Sequence, residues 1–330
     1  MSRISSSIVL LALLSAYTTQ SQQVSTPAAQ FIAVEPGVKL EVLDLGGSGR
    51  NIVLLAGLGG TAHSFGSFAA DLTRKYHVYG ITRRGYGASD APPPSAENYS
   101  ADRLGDDVLA VLDAVKLDHP ILVGHSLAGE ELSSIGSRHP ERVAGLVYLD
   151  AGNRYALAVP GRGDFQLDTI TMRQYLTAIL NSISAADQQK AIEDFERELP
   201  AFQQDLDTRK KEIAVAPVMS AERHAALAEQ MKTPQSQIEH AILFNERRYT
   251  TINCPILTIF PSPHDYPALQ GHALATAEAK DEAYIQSQAK LFRALPNAKV
   301  VLIPHARHDV FASNEAEVLH EIDAFVAGLP

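Results

Sequence analysis

The chain has 330 residues, 45% of them hydrophobic, with 38 acidic against 28 basic side chains and a net charge of −10. That apolar content suffices for a sizeable core, as one large domain or two small ones. The negative balance repels phosphate backbones and sets nucleic acid aside as a partner; the basic clusters Arg83-Arg84, Arg209-Lys210-Lys211 and Arg247-Arg248 read as solvated surface.

At the N-terminus, Arg3 precedes a short apolar stretch from Ile8 to Ala16, and polar residues follow from Thr18 to Ser25. The stretch is shorter than the roughly 20 residues of a membrane helix. It reads as a signal peptide over residues 1–22, without a clean small-residue cleavage site before Gln22. The expectation is a secreted or periplasmic protein with no stable membrane span after cleavage. Cys254, the lone cysteine, cannot form an internal disulfide and reads as a small buried hydrophobe at the start of an apolar run.

Further along, short apolar runs alternate with helical patterns. The runs are Asn51–Leu55, His77–Ile81, Pro120–Val123, Val143–Leu149, Ile256–Phe260 and Val300–Ile303. Continuous apolar runs bounded by glycine or proline suit strands buried on both faces. Between them, Leu104, Val108, Val111, Leu112 and Val115 recur at helical spacing. A segment after Ser126 stops at His139-Pro140, and a last helix carries Val318, Ile322, Phe325 and Val326 behind a capping box of Asn314 and Glu317. Alternating strand and helix predicts an α/β fold: a mostly parallel, twisted sheet with helices on both faces, built from residues 31–152 and 251–330. Residues 153–250 break the alternation. They show helical patterns around Met172–Ile183, Asp187–Leu199 and Ala221–Met231, with Ser184 as N-cap of the second, and read as a helical cap.

The chemistry concentrates at Gly124-His125-Ser126-Leu127-Ala128-Gly129, between a strand and a helix. Small glycines permit the sharp turn that lifts a serine hydroxyl above a sheet edge, and the helix that starts there aims free amides at developing negative charge. Ser126 is therefore the candidate nucleophile. A hydroxyl needs a base, and His308, in the loop after the last strand, is favoured over His305. His125 is expected to pack or hydrogen-bond. A carboxylate should orient the base. Asp265, after the Ile256–Phe260 strand, is favoured, and Asp150, after the preceding one, is the alternative. Backbone donors for an oxyanion are expected at Leu58 and Leu127. A phosphate-binding loop lacks its Gly-Lys-Ser/Thr, and zinc lacks paired cysteines or a His-Glu-x-x-His run. No cofactor or metal is expected.

These residues resemble the α/β-hydrolase superfamily, and more closely its serine esterase and haloperoxidase-like members. The resemblance covers roughly residues 31–153 and 251–328. It rests on Leu55–Gly60, Arg84-Gly85-Tyr86-Gly87-Ala88-Ser89, Gly124–Gly129 and His308-Asp309-Val310-Phe311. It implies the α/β-hydrolase fold, with the cap inserted after the sixth strand. Ala56 stands where relatives carry a histidine before the oxyanion glycine, which leaves the backbone donors in place. The Arg84–Ser89 segment is structural in such proteins. Serine at the turn disfavours the relatives with an aspartate nucleophile, such as epoxide hydrolases and haloalkane dehalogenases. The implied activity is hydrolysis of a carboxylic ester through an acyl-enzyme, on a small hydrophobic substrate. Tyr155, Phe165, Tyr175, Phe202 and Phe244 of the cap are expected either to line its pocket or to pack cap on core. A carbon–carbon hydrolase, a cofactor-free perhydrolase and a non-catalytic binding protein are the alternatives.

Overall fold

The computed structural model describes residues 29–158, 165–215 and 218–330, so the signal segment over residues 1–22 lies outside the described residues. The elements run β1 (Ala29–Glu35), β2 (Val38–Gly47), β3 (Asn51–Leu55), α1 (Gly66–Leu72), β4 (His77–Ile81), α2 (Ala96–Tyr99), α3 (Ala101–Ala114), β5 (Ile121–His125), α4 (Gly129–Arg138) and β6 (Gly145–Leu149). The cap helices α5 (Phe165–Asn181), α6 (Ala185–Val215), α7 (Ala221–Gln230) and α8 (Pro234–Leu243) follow. Last come β7 (Ile256–Pro261), α9 (Gly271–Arg293), β8 (Ala298–Ile303), α10 (Val310–Ser313) and α11 (Glu315–Ala327). Among the described residues no helix is long and apolar enough to cross a membrane.

The strands form one eight-stranded sheet in the order β1-β2-β4-β3-β5-β6-β7-β8. β2 runs antiparallel to both β1 and β4, and every other pair is parallel. Successive residues of a strand face opposite sides, and here both sides are covered. Val53, Leu122, Leu146, Tyr148, Ile256 and Phe260 enter one core, while Ile52, Leu54, Val123, Val147, Leu257 and Ile259 enter the other. Double coverage explains why these strands read as continuous apolar runs.

α3 begins at Ser100, whose hydroxyl accepts the Arg103 amide, and buries Leu104, Val108, Val111 and Leu112 as the spacing requires. Ser184 caps α6 through the Asp187 amide at 3.1 Å. At α11 the capping box does not form, because Asn314 makes no side-chain cap bond; its Oδ1 instead accepts the Ser313 hydroxyl at 2.8 Å. The Val318, Ile322 and Val326 stripe is buried all the same. α6 runs 31 residues, through Pro200, and buries only Ala191, so its length comes from hairpin packing on α5 and not from the sheet.

The buried Arg84 guanidinium reaches Asp107 with two bonds of 2.6 Å and Glu35 at 2.9 Å. This ties β1 to α3, the structural part expected of the Arg84–Ser89 segment.

Candidate active site

Four adjacent strands, β5 to β8, end at the same sheet edge, and each delivers one polar side chain. Ser126 follows β5 directly, with φ of 51°. That left-handed conformation is strained for a residue with a Cβ, so the surroundings must hold it. They are packed too closely for larger residues. A Cβ on Gly129 would lie 2.0 Å from the Ala151 carbonyl oxygen, and one on Gly57 would lie 2.9 Å from the Ser126 Cβ. Gly129 lets α4 press on the chain just past Asp150, and Gly57 lets the β3 loop press on the serine.

His308 Nε2 stands 2.9 Å from Ser126 Oγ. Its Nδ1 stands 2.5 Å from Asp150 Oδ2. This corrects the expectation for the acid: Asp150, not Asp265, meets His308. Asp150 also has a positive φ, 46°, and its amide is held by the Ile259 carbonyl at 2.8 Å, which turns its carboxylate in over the sheet edge. The Asp265 amide is bound to the Ala306 carbonyl at 2.9 Å, and the residue is exposed to solvent. His305 is also outside the cluster; its Nδ1 lies 3.6 Å from Glu278 and its side chain is exposed.

A carboxylate accepts, so His308 Nδ1 carries the proton and Nε2 is left to accept from the Ser126 hydroxyl. The hydrogen bond to Asp150 raises the His308 pKa above its ordinary value, while partial burial works against it. His125 takes the hydrogen-bonding role expected of it: its Nε2–H donates to the His308 carbonyl at 3.1 Å. Burial, then the neighbouring His308, lowers its pKa.

Leu127 opens the helical segment after Ser126, where amides lack partners within the helix. Leu58 lines a cavity of about 470 Å³ together with Gly57, Phe65, Ser126, His308 and Phe311. The β3 loop is held from behind by Arg83, a residue that composition had suggested was surface. It is buried beside Glu131 of α4, with bonds of 2.6 and 2.9 Å to that carboxylate. The same guanidinium donates to the carbonyls of Ala56 at 2.9 Å and Gly57 at 3.2 Å.

Of the cap aromatics, Tyr155 lies nearest the chemistry. Burial pushes its phenol above the ordinary range, against hydrogen bonding to Asn153 and Ser126. Phe165 stacks on Phe202 at 6.4 Å, and Phe244 on His240 at 4.0 Å.

Sequence reasoning missed His264. Its Nε2 lies 2.7 Å from Asp150 Oδ2 and its Nδ1 2.8 Å from Asp281 Oδ2 on α9. Asp150, His264 and His308 bring three donor atoms within 4.8 Å of one another. Zinc at about 2.0–2.1 Å from each nitrogen would have to part them, because both rings already touch one oxygen. The set is arranged to share protons.

A family model described as the alpha/beta hydrolase fold matches residues 50–221. Over 120 residues the chain is 34% identical to a Caulobacter segnis protein provisionally named carbamate hydrolase RutD, covering 36% of this chain and 44% of that one. Over 99 residues it is 30% identical to esterase YbfF of Escherichia coli K12, covering 30% of this chain and 37% of that protein. The chain thus aligns with less than half the length of these curated relatives. The crystal structure of an esterase from Rhodococcus sp. ECU1013 superposes with a TM-score of 0.55 at 19% identity, covering 92% of this chain and 99% of that one, a likeness of fold. More than half of the 330 residues fall inside the family match, and the protein belongs to the alpha/beta hydrolase fold family.

Proposed function

We propose that the protein is a serine hydrolase that cleaves small hydrophobic carboxylic esters through an acyl-enzyme. One observation carries the reading: the unbroken row of hydrogen bonds from Ser126 Oγ through His308 to Asp150, at 2.9 and 2.5 Å. A hydroxyl, a base and an orienting carboxylate in that order make an activated nucleophile. The esterase and carbamate hydrolase names of the relatives support acyl chemistry.

In this mechanism His308 Nε2 takes the hydroxyl proton as Ser126 Oγ attacks the carbonyl carbon. The His308 cation then rests against the Asp150 carboxylate. Charge developing on the carbonyl oxygen falls to the Leu58 and Leu127 amides, fixed dipoles at a partly dry edge. Collapse breaks the carbon–oxygen bond, and His308 returns its proton to the leaving alkoxide. Water then attacks the acyl group, with His308 as base again, and Ser126 leaves as a hydroxyl. Gly57, Leu58, Phe65 and Phe311 give the cavity apolar walls suited to a small acyl or alcohol group.

A fluorophosphonate probe tests the reading. It should label Ser126 in the folded protein, and Ser126→Ala should lose both labelling and ester turnover while keeping its melting temperature. Retained turnover in Ser126→Ala rules the mechanism out. A panel of esters of graded acyl length, run beside matched carbamates, identifies the preferred carbonyl.

A further inference from the structure

The loop after β7 was expected to supply the acid, and it supplies an imidazole instead. Both ring nitrogens of His264 face carboxylate oxygens, Asp150 at 2.7 Å and Asp281 at 2.8 Å. Carboxylates only accept, so each nitrogen needs its own proton, and the ring is a cation. Its side chain is 19% exposed, and those of Asp150 and Asp281 are 2% and 12% exposed. Burial pulls the ring toward neutrality, but the bonds and charges of Asp150 and Asp281 outweigh it and push the pKa up to about 9. Asp281 also accepts the His264 backbone amide at 2.6 Å, so α9 sets the place of the ring as well as its charge. Among the described residues, the rings of His308 and of Tyr266 in its own loop also face it, with centres 6.3 and 6.4 Å away.

The row of groups therefore runs Asp281, His264, Asp150, His308, Ser126. We infer that His264, held by Asp281, is a positioning residue for the triad: a fixed cation that aims Asp150 at His308 and restrains the basicity that Asp150 confers on it. The inference rests on the serine-hydrolase reading above. Its logic is electrostatic. A base is idle once its pKa climbs above the working pH, because it is already protonated. The bond and charge of Asp150, with a smaller push from the Asp309 carboxylate, drive His308 in that direction, and the His125 ring packs 4.6 Å from it. A cation sharing Oδ2 draws on the same negative charge, and the charge of His264 lowers the His308 pKa. Among the described residues Asp150 Oδ1 has no hydrogen-bond partner, so Oδ2 carries both imidazoles and the two cannot be independent.

The test reads the rate of Ser126 labelling by a fluorophosphonate against pH, in wild type, His264→Gln and His264→Lys. In wild type the rate falls at low pH as His308 takes a proton. In His264→Gln that fall should move to higher pH by about one unit, so that labelling at the foot of the curve drops about tenfold, and His264→Lys, which keeps a cation, should move it back. A folded His264→Gln protein whose curve is slower but unmoved overturns the inference, because loss of packing alone lowers the rate without shifting the limb. If His264→Gln does not fold, the ring nitrogen shifts of wild type decide. One imidazole should be doubly protonated at pH 8, and a protein with every ring neutral there overturns the inference. No labelling of folded wild type at any pH overturns the serine-hydrolase reading itself, which keeps the two failures apart.

Discussion

Asp150 reaches His308 at 2.5 Å across the end of β7, the strand that lies between theirs in the sheet. Strands sit about 4.8 Å apart, so the contact spans two spacings and depends on the loop after β8 folding back over its neighbour. Asp150→Asn should therefore lower kcat/KM for a simple ester by about 10³–10⁴-fold, as expected when an orienting carboxylate is lost and the imidazole turns to the wrong tautomer. Asp265→Asn should stay within about twofold of wild type, as surface changes do. Both variants are compared at matched melting temperature. The opposite ranking would return the acid to the loop after β7.

Gly57 touches the serine, and the contact leaves no room for a methyl group. In Gly57→Ala the new Cβ meets the Ser126 Cβ at 2.9 Å and His125 Nδ1 at 3.1 Å, neither of them the far end of a flexible chain. Overpacking of this kind costs about 1–3 kcal/mol, and a displacement of the nucleophile by a fraction of an ångström lowers kcat by about 10²-fold. Gly59→Asn is the control. Among the described residues nothing lies within 4 Å of a Cβ there, and asparagine tolerates its φ of +79°. Steady-state kinetics should separate the two variants clearly.

Glu131 supplies the counter-charge to a guanidinium that is only 5% exposed. Glu131→Gln strands that charge and should cost about 3–5 kcal/mol in urea unfolding. The double variant Arg83→Met, Glu131→Leu should recover most of that stability, since a buried ion pair replaced by apolar side chains is close to neutral. It should not recover turnover, because the Ala56 and Gly57 carbonyls lose their donor. Full activity in the double variant would show that the loop stands without the clamp.

Stability should also depend on pH through His264. Its pKa is 6.5 in the unfolded chain and about 9 in the fold. A raised pKa favours folding while the ring is charged. The contribution is therefore complete below about pH 6.5 and is lost as the pH rises through about 9. Its size is about 3 kcal/mol. Urea unfolding of wild type and His264→Gln should show a gap at pH 6 that narrows toward pH 10. A gap of constant width would assign the loss to packing alone.

How far the sequence carried the site follows from how local each signal is. Ser126 is written within six residues, because its turn needs glycines at fixed offsets between a strand and a helix. His308 needs only the knowledge that β8 is the last strand. The acid is different in kind. Asp150 and Asp265 both follow apolar strands, and what separates them is the backbone: the Asp150 amide is pinned to Ile259 with the chain in a left-handed turn, while the Asp265 amide is drawn to Ala306 and its side chain left outside. His264 was harder still, since its partners come from β6 and α9 and meet only once the strand order is known. The clearest hint was an imidazole beside an aspartate in the loop where an acid was expected. β1 gave a weak signal for another reason: it is an edge strand, exposed at four of its seven residues. α9 buries few of its 23 residues, so its stripe is faint. Arg83 looked like surface because a buried guanidinium betrays itself only through its partner.

The clamp on the β3 loop has one more consequence. The Gly57 carbonyl and the Leu58 amide belong to a single planar peptide unit, so the bond from Arg83 to the oxygen also fixes the bearing of the hydrogen on the opposite side. Leu127 and Glu131 lie on the continuous helical stretch that follows Ser126, and Arg83 joins Glu131 to that peptide. The two amides proposed to meet the incoming carbonyl are thereby tied into one unit, although they come from different strands. For the loop to drift from Ser126, a buried guanidinium must leave either its carboxylate or its two carbonyls, so thermal breathing of the gap between the amides is suppressed at its source.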